Sequence, residues 1–137
     1  MSDREFLASR MLWVFRTSGK PGVETGPIAE LEPARRDALL AIAPPAADDI
    51  AVLGYYRDDE HWLLLTIDWL RAQHGGQRIQ IATSDIATGR VAGVDGKRAG
   101  VANAKLEVVL TNGNSISVGI ESGGPLVGLL NVLKRIR

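Results

Sequence analysis

Cysteine is absent from the chain, which excludes disulfides, thiolate metal sites and a thiol nucleophile. Net charge is absent as well: 16 Lys and Arg balance 16 Asp and Glu. Domains that hold nucleic acid by its phosphates show a basic excess or a basic patch, so no nucleic-acid partner is expected. Long apolar runs are missing too. Near the N-terminus the run at 11–15 (MLWVF) is too short for a secretory core. No stretch approaches the roughly 20 apolar residues of a membrane span. The expectation is a soluble, cytoplasmic protein with no stable membrane anchoring. At 137 residues it is one domain, long enough to bury about two thirds of its unfolded surface.

What is present is β-patterning. The segment 106–120, LEVVLTNGNSISVGI, places Leu106, Val108 and Leu110 on one face before Asn112-Gly113. Ile116, Val118 and Ile120 follow on one face after it. Period-2 alternation about Asn-Gly predicts an antiparallel hairpin with a two-residue type I′ turn. Ser122-Gly123-Gly124-Pro125 then changes the period, and Leu126, Leu129, Leu130, Leu133 and Ile136 recur at helical spacing. Pro125 suits the first helical turn, and Lys134, Arg135 and Arg137 complement the last.

Upstream, short strands are expected at 50–56, 62–67, 69–73, 77–82 and 87–94, before those at 105–111 and 114–120. The run WLLLTI within them is nearly continuous, as for a strand buried on both faces. Thr83-Ser84-Asp85-Ile86 reads as a corner, and 95–104 (DGKRAGVANA) as an exposed loop. In the first 49 residues a helix is expected near 33–43, opened by Pro33 and stopped by Pro44-Pro45. Segment 17–27 reads as a flexible connection, while 4–16 fits either a helix face or a buried strand.

The stretches WLLLTIDWLRAQHGGQRIQIATSDIATGRV and LTNGNSISVGIESGGPLVGLLNVLKRI give 50–137 an order of strands, corner and closing helix. In that order the segment resembles the bacterial pleckstrin-homology-like (PH-like) domains. The resemblance implies a mainly β fold with helices: a bent, seven-stranded antiparallel barrel capped by a C-terminal helix. The first 49 residues would form an extension with at least one helix, packed outside. Membrane-binding members carry a Lys/Arg cluster on the loop between their first two strands. The corresponding loop here, Arg57-Asp58-Asp59-Glu60-His61, is mainly acidic, so phosphoinositide binding by that route is not expected.

No motif calls for a cofactor, a metal or a catalytic group. Asp58-Asp59-Glu60-His61 lacks the alternating ligand spacing of a calcium loop. Gly19-Lys20-Pro21-Gly22 lacks the spacing of a phosphate loop, and its proline removes a backbone donor. The segment around Ser115 has no nucleophile elbow. Trp13, Trp62, Trp69, Tyr55 and Tyr56 hold most of the aromatic area; any exposed together would mark a partner contact. Arg90, Lys97, Arg98 and Lys105 form the candidate anion patch around the 95–104 loop. The expected function is a non-catalytic binding or scaffold module contacting a protein partner or a second copy. The rival is a small hydrolase using His61 or His74 with Asp85 or Glu60. A third reading is adsorption to an anionic lipid surface.

Overall fold

The computed structural model describes residues 2–98 and 101–136, with the backbone alone for 94–98. Among the described residues, eight strands make two antiparallel sheets, accompanied by three α-helices. The first helix, α1 (Asp3–Ser18), settles the ambiguity at 4–16 in favour of a helix. Its start has the Ser-x-x-Glu sequence of a capping box: Glu5 N–H donates to Ser2 Oγ at 3.1 Å, and the Ser2 hydroxyl in turn donates to Glu5 Oε1 at 3.1 Å. Ala8, Met11, Val14 and Phe15 form its buried side.

Next come β1 (Thr25–Pro27) and α2 (Pro33–Ile42), which has Pro33 in its first turn as the sequence predicts. The meander β2 (Ala51–Asp58), β3 (His61–Thr66), β4 (Trp69–His74) and β5 (Gln77–Ala82) follows. With β1 at its edge it forms a five-stranded sheet in the order β1-β2-β3-β4-β5. After a 3-10 turn at Thr83–Asp85, β6 (Ile86–Arg98), β7 (Val101–Leu110) and β8 (Ser115–Glu121) make a three-stranded sheet. The helix α3 (Gly124–Lys134) ends the chain's regular structure.

Two expectations on architecture need correction. The seven strands expected over 50–120 are present as β2–β8, but an eighth is added upstream, because 25–27 pairs with β2 instead of forming a flexible connection. The ladder also stops at the 83–85 turn, leaving two open sheets instead of one closed barrel. A third correction concerns the loop expected at 95–104: 95–98 continue β6 and 101–104 begin β7, while 99–100 lie outside the described residues. Asn103 and Ala104 are buried there because they pair with Glu121 and Ile120 of β8. The Asn112-Gly113 turn is one residue longer than a type I′ turn. Gly113 N–H donates to Leu110 O at 3.0 Å, and Leu110 N–H to Asn114 O at 2.8 Å. Gly113 has φ +91°, so this is a three-residue loop closed by a left-handed glycine.

Two cores result. The larger lies between the sheets and beneath α1 and α3, with Leu63, Leu65, Leu70, Leu106, Val118 and Leu129 among its members. The smaller joins α2 to the outer face of the five-stranded sheet through Leu31, Leu39, Ala43, Trp62 and Leu64. Alternation along β3 sends Leu63 and Leu65 inward, and Trp62 and Leu64 outward. That division explains the continuous apolar run of WLLLTI.

Candidate binding face

Helix α1 is tied down at both ends. Arg4 Nε donates to Asp48 O at 2.8 Å, and the same guanidinium pairs with Asp68. Asp49, almost fully buried, accepts from Ile50 N at 2.8 Å and Asp68 N at 3.2 Å, which fixes the loop that receives Arg4. At the other end, Gly19 N–H closes the last turn on Phe15 O at 2.8 Å. Lys20 N–H reaches Gly124 O of α3 at 3.3 Å. A helix fixed in this way holds its solvent side rigidly.

That side carries two aromatic rings. Phe6 is 60% exposed and Trp13 is 61% exposed. They are seven residues apart, hence nearly in line along a helix of 3.6 residues per turn. Arg10, at i+4 from Phe6 and i−3 from Trp13, is exposed on the same flank.

Beside this stripe a cleft of about 330 Å³ opens between α1, the end of α3 and the 3-10 turn. Leu7, Met11, Val14, Ile67, Val132 and Ile136 give it apolar walls. Its polar groups are Thr83, Ser84, Arg10 and Arg135. Among the described residues no carboxylate lines it, and neither Arg10 nor Arg135 forms an ion pair. The cleft therefore combines, among the described residues, apolar walls with two arginines that have no ion-pair partner.

The five aromatic residues singled out in the sequence do not converge. Trp13 is exposed, and Trp69 and Tyr56 are half-buried. Tyr55 and Trp62 are 3% and 2% exposed and lie in different cores, so neither joins an exposed aromatic face for a protein partner. Tyr56 donates its hydroxyl to Asp59, and that bond with partial burial pushes its pKa up to about 12.

Arg90 Nε donates to Glu107 Oε2 at 2.7 Å across the β6–β7 pair, so its charge is spent. Lys105 is exposed one step along β7, and the side chains of Lys97 and Arg98 lie outside the described residues. The residues missed from sequence are Phe6, Leu7, Arg10 and Arg135. The heptad spacing of Phe6 and Trp13 was the available signal.

The histidines are cross-strand neighbours: His61 pairs with His74, their ring centroids 5.1 Å apart and nearly perpendicular. His61 Nδ1 lies 2.8 Å from Asp58 Oδ1. Partial burial pushes the Asp58 carboxyl upward, but the bonds from His61 and the Glu60 N–H outweigh it and hold the pKa below the usual range. The carboxylate bonded to His61 is thus Asp58. Asp85 instead accepts Thr111 N–H through its backbone carbonyl at 2.9 Å. Among the described residues no group of three or more His, Asp or Glu is placed to hold a metal ion, and no helix is long and apolar enough to cross a membrane. Comparison with family models, with curated proteins and with solved structures finds no match for this chain.

Proposed function

We propose that this chain is a non-catalytic binding module of PH-like arrangement, which docks an acidic, apolar-anchored protein segment on the α1 face. The arrangement is supported by the order of elements: a four-strand meander β2–β5, a three-strand meander β6–β8 and a closing helix α3. The docking function rests on one observation. Phe6 and Trp13 stand in solvent on a rigid helix, beside an apolar cleft whose only charges among the described residues are Arg10 and Arg135. Exposed aromatics on a pre-organised element lose little conformational freedom on binding, and Trp and Arg are the residues that anchor interfaces. The unpaired arginines select a partner that brings carboxylates to a rim next to apolar anchors.

The test is selection of peptides from a random displayed library on the intact protein. The expected consensus combines Asp or Glu with at least two bulky apolar residues, and its binding shifts Trp13 fluorescence. Phe6→Ser and Trp13→Ser, both at exposed positions, should abolish the selection, and Arg10→Glu should invert its charge preference. Absence of a consensus, or a consensus indifferent to these changes, overturns the proposal. Concentration-dependent dimerisation removed by Trp13→Ser would also overturn it, in favour of self-association.

A further inference from the structure

A second cavity of about 330 Å³ lies on the outer face of the five-stranded sheet, where α2 stops covering it. Strand register builds it: Arg71 of β4 stands opposite Gln80 of β5, while Gln73 stands between Trp62 of β3 and Arg78 of β5. Ile42 and Ala43, at the end of α2, close the remaining side. Its apolar walls are thus Ile42, Ala43, Ile79 and the Trp62 indole, and its polar lining is Arg71, Arg78 and Gln80.

The hydrogen-bond balance at this cavity is lopsided toward donors. Trp62 is 2% exposed, yet its Nε1–H has no partner. Arg71 donates through Nη1 to Pro44 O at 3.0 Å, while its buried Nε–H has none. Arg78 lies with its guanidinium carbon 5.3 Å from the centre of the Trp62 ring. Its Nε and Nη2 share a single acceptor, Gln73 Oε1, at 3.3 and 3.2 Å. Among the described residues no carboxylate lines the cavity, and neither arginine forms an ion pair. Buried donors are normally satisfied, and two guanidinium groups facing one cavity normally share a counter-charge. Here an acceptor-rich anion would supply both.

We propose that this cavity is a binding site for a small organic oxyanion, a carboxylate or phosphate carried on an apolar body. Arg78 is the group that engages the anion: it is exposed, and long bonds to one neutral oxygen hold it in place. A guanidinium fork matches either oxyanion in a bidentate manner, whereas a lysine would not. Arg71, held by Pro44 O, supplies the fixed second charge. Trp62, Ile42 and Ala43 receive the apolar body. The site is on a different face from the α1 cleft and is independent of any partner bound there.

The test is a titration of the intact protein with benzoate, phenyl phosphate, inorganic phosphate and neutral benzamide, followed by amide and indole N–H resonances. Benzoate or phenyl phosphate should saturate with shifts centred on the Trp62 indole N–H and the 78–80 backbone. The stronger of the two identifies the oxyanion. Arg78→Gln, at an exposed position, should weaken that binding roughly tenfold or more while leaving the other resonances in place. Arg78→Lys should recover only part of it. The proposal is overturned by any of three results: no saturable shift at Trp62, binding unaltered in Arg78→Gln, or benzamide binding as well as benzoate. Inorganic phosphate binding as tightly as phenyl phosphate would overturn the role of the apolar wall.

Discussion

Phe15 packs against the bare backbone of Gly128. A Cβ added at Gly128 would lie 2.5 Å from Phe15 Cδ2 and 2.6 Å from Cε2. One turn further along α1, a Cβ at Gly19 would lie 2.5 Å from both Gly124 O and the Gly128 Cα. Two glycines, one contributed by each side of the crossing, therefore set how closely α1 approaches α3. That approach seats Phe15 and Leu129 in the core and fixes the spacing of the walls of the cleft beside Trp13.

Gly128→Ala should destabilise the protein by about 1–3 kcal/mol, the usual range for overpacking a filled core. Ala is favoured over Gly within a helix by up to about 1 kcal/mol, so a net loss would isolate the steric cost. Gly76→Ala is the matched control, since nothing lies within 4 Å of its added Cβ. Urea denaturation of both variants measures the difference. Equal midpoints for Gly128→Ala and the parent would show that Phe15 gives way without cost.

Glu121 acts as a clasp between the end of β8 and the segment leading into β1. Its Oε2 accepts Val23 N–H and its Oε1 accepts Glu24 N–H, each at 2.9 Å, with Glu121 itself 6% exposed. Gly22 makes room for this, because a Cβ there would fall 2.3 Å from Glu121 Oε2. Glu121→Ala leaves backbone donors without an acceptor and should cost about 1–3 kcal/mol. Glu121→Gln retains one acceptor oxygen and should lose less. Hydrogen exchange at Val23 and Glu24 reports the loss directly. Undiminished protection in Glu121→Ala would mean that other groups hold the segment.

Much of the fold is legible in alternation and turn chemistry, and the exceptions have physical causes. The strands β2 to β8 follow the apolar periodicity closely, and Pro33 and Pro125 mark the starts of α2 and α3. In α1 the period is masked because Phe6 and Trp13 add aromatic bulk to the solvent side, and 11–15 (MLWVF) is apolar on every face. The decisive local signal was the pair Ser2 and Glu5, whose reciprocal bonds specify a helix start. The extended β6–β7 pair was obscured by glycine and alanine, which fill strands poorly in isolation but pair well under β8. Alternation places Tyr55 and Trp62 on opposite faces, but only tertiary packing shows that α2 covers the second face. The cleft draws on residues from 7 to 136, a juxtaposition that no local pattern encodes.

The Arg90–Glu107 pair predicts a titration and not a stability effect of any size. Glu107 accepts from Arg90 and from Ser115 Oγ at 2.8 Å, and these bonds hold its carboxyl below the usual glutamate range. A carboxyl depressed in the folded state contributes stability above its unfolded pKa. That contribution is lost as pH falls through the folded value. Both partners lie at the surface, where salt screening keeps such pairs weak. Carboxyl NMR should show Glu107 titrating below ordinary glutamates. Arg90→Ala should move it upward, and an unmoved midpoint would count against the pair in solution.

Tyr56 predicts an effect at the opposite end of the pH scale. Its hydroxyl donates to Asp59, a bond that exists only while the phenol is protonated, and partial burial adds to the cost of the phenolate. Together they raise its pKa from 10.0 to about 12. Because the folded value lies above the unfolded one, the stabilisation is complete below pH about 10. It declines as pH rises through 12. In a Tyr55→Phe background the only other tyrosine is removed, so phenolate absorbance reports Tyr56 alone. The expected midpoint is near 12 in that background. Asp59→Asn should bring it back toward the ordinary value, because an amide oxygen is a weaker acceptor and carries no charge to repel the phenolate. A midpoint near 10 before Asp59 is changed would show that the carboxylate does not hold the hydroxyl in solution.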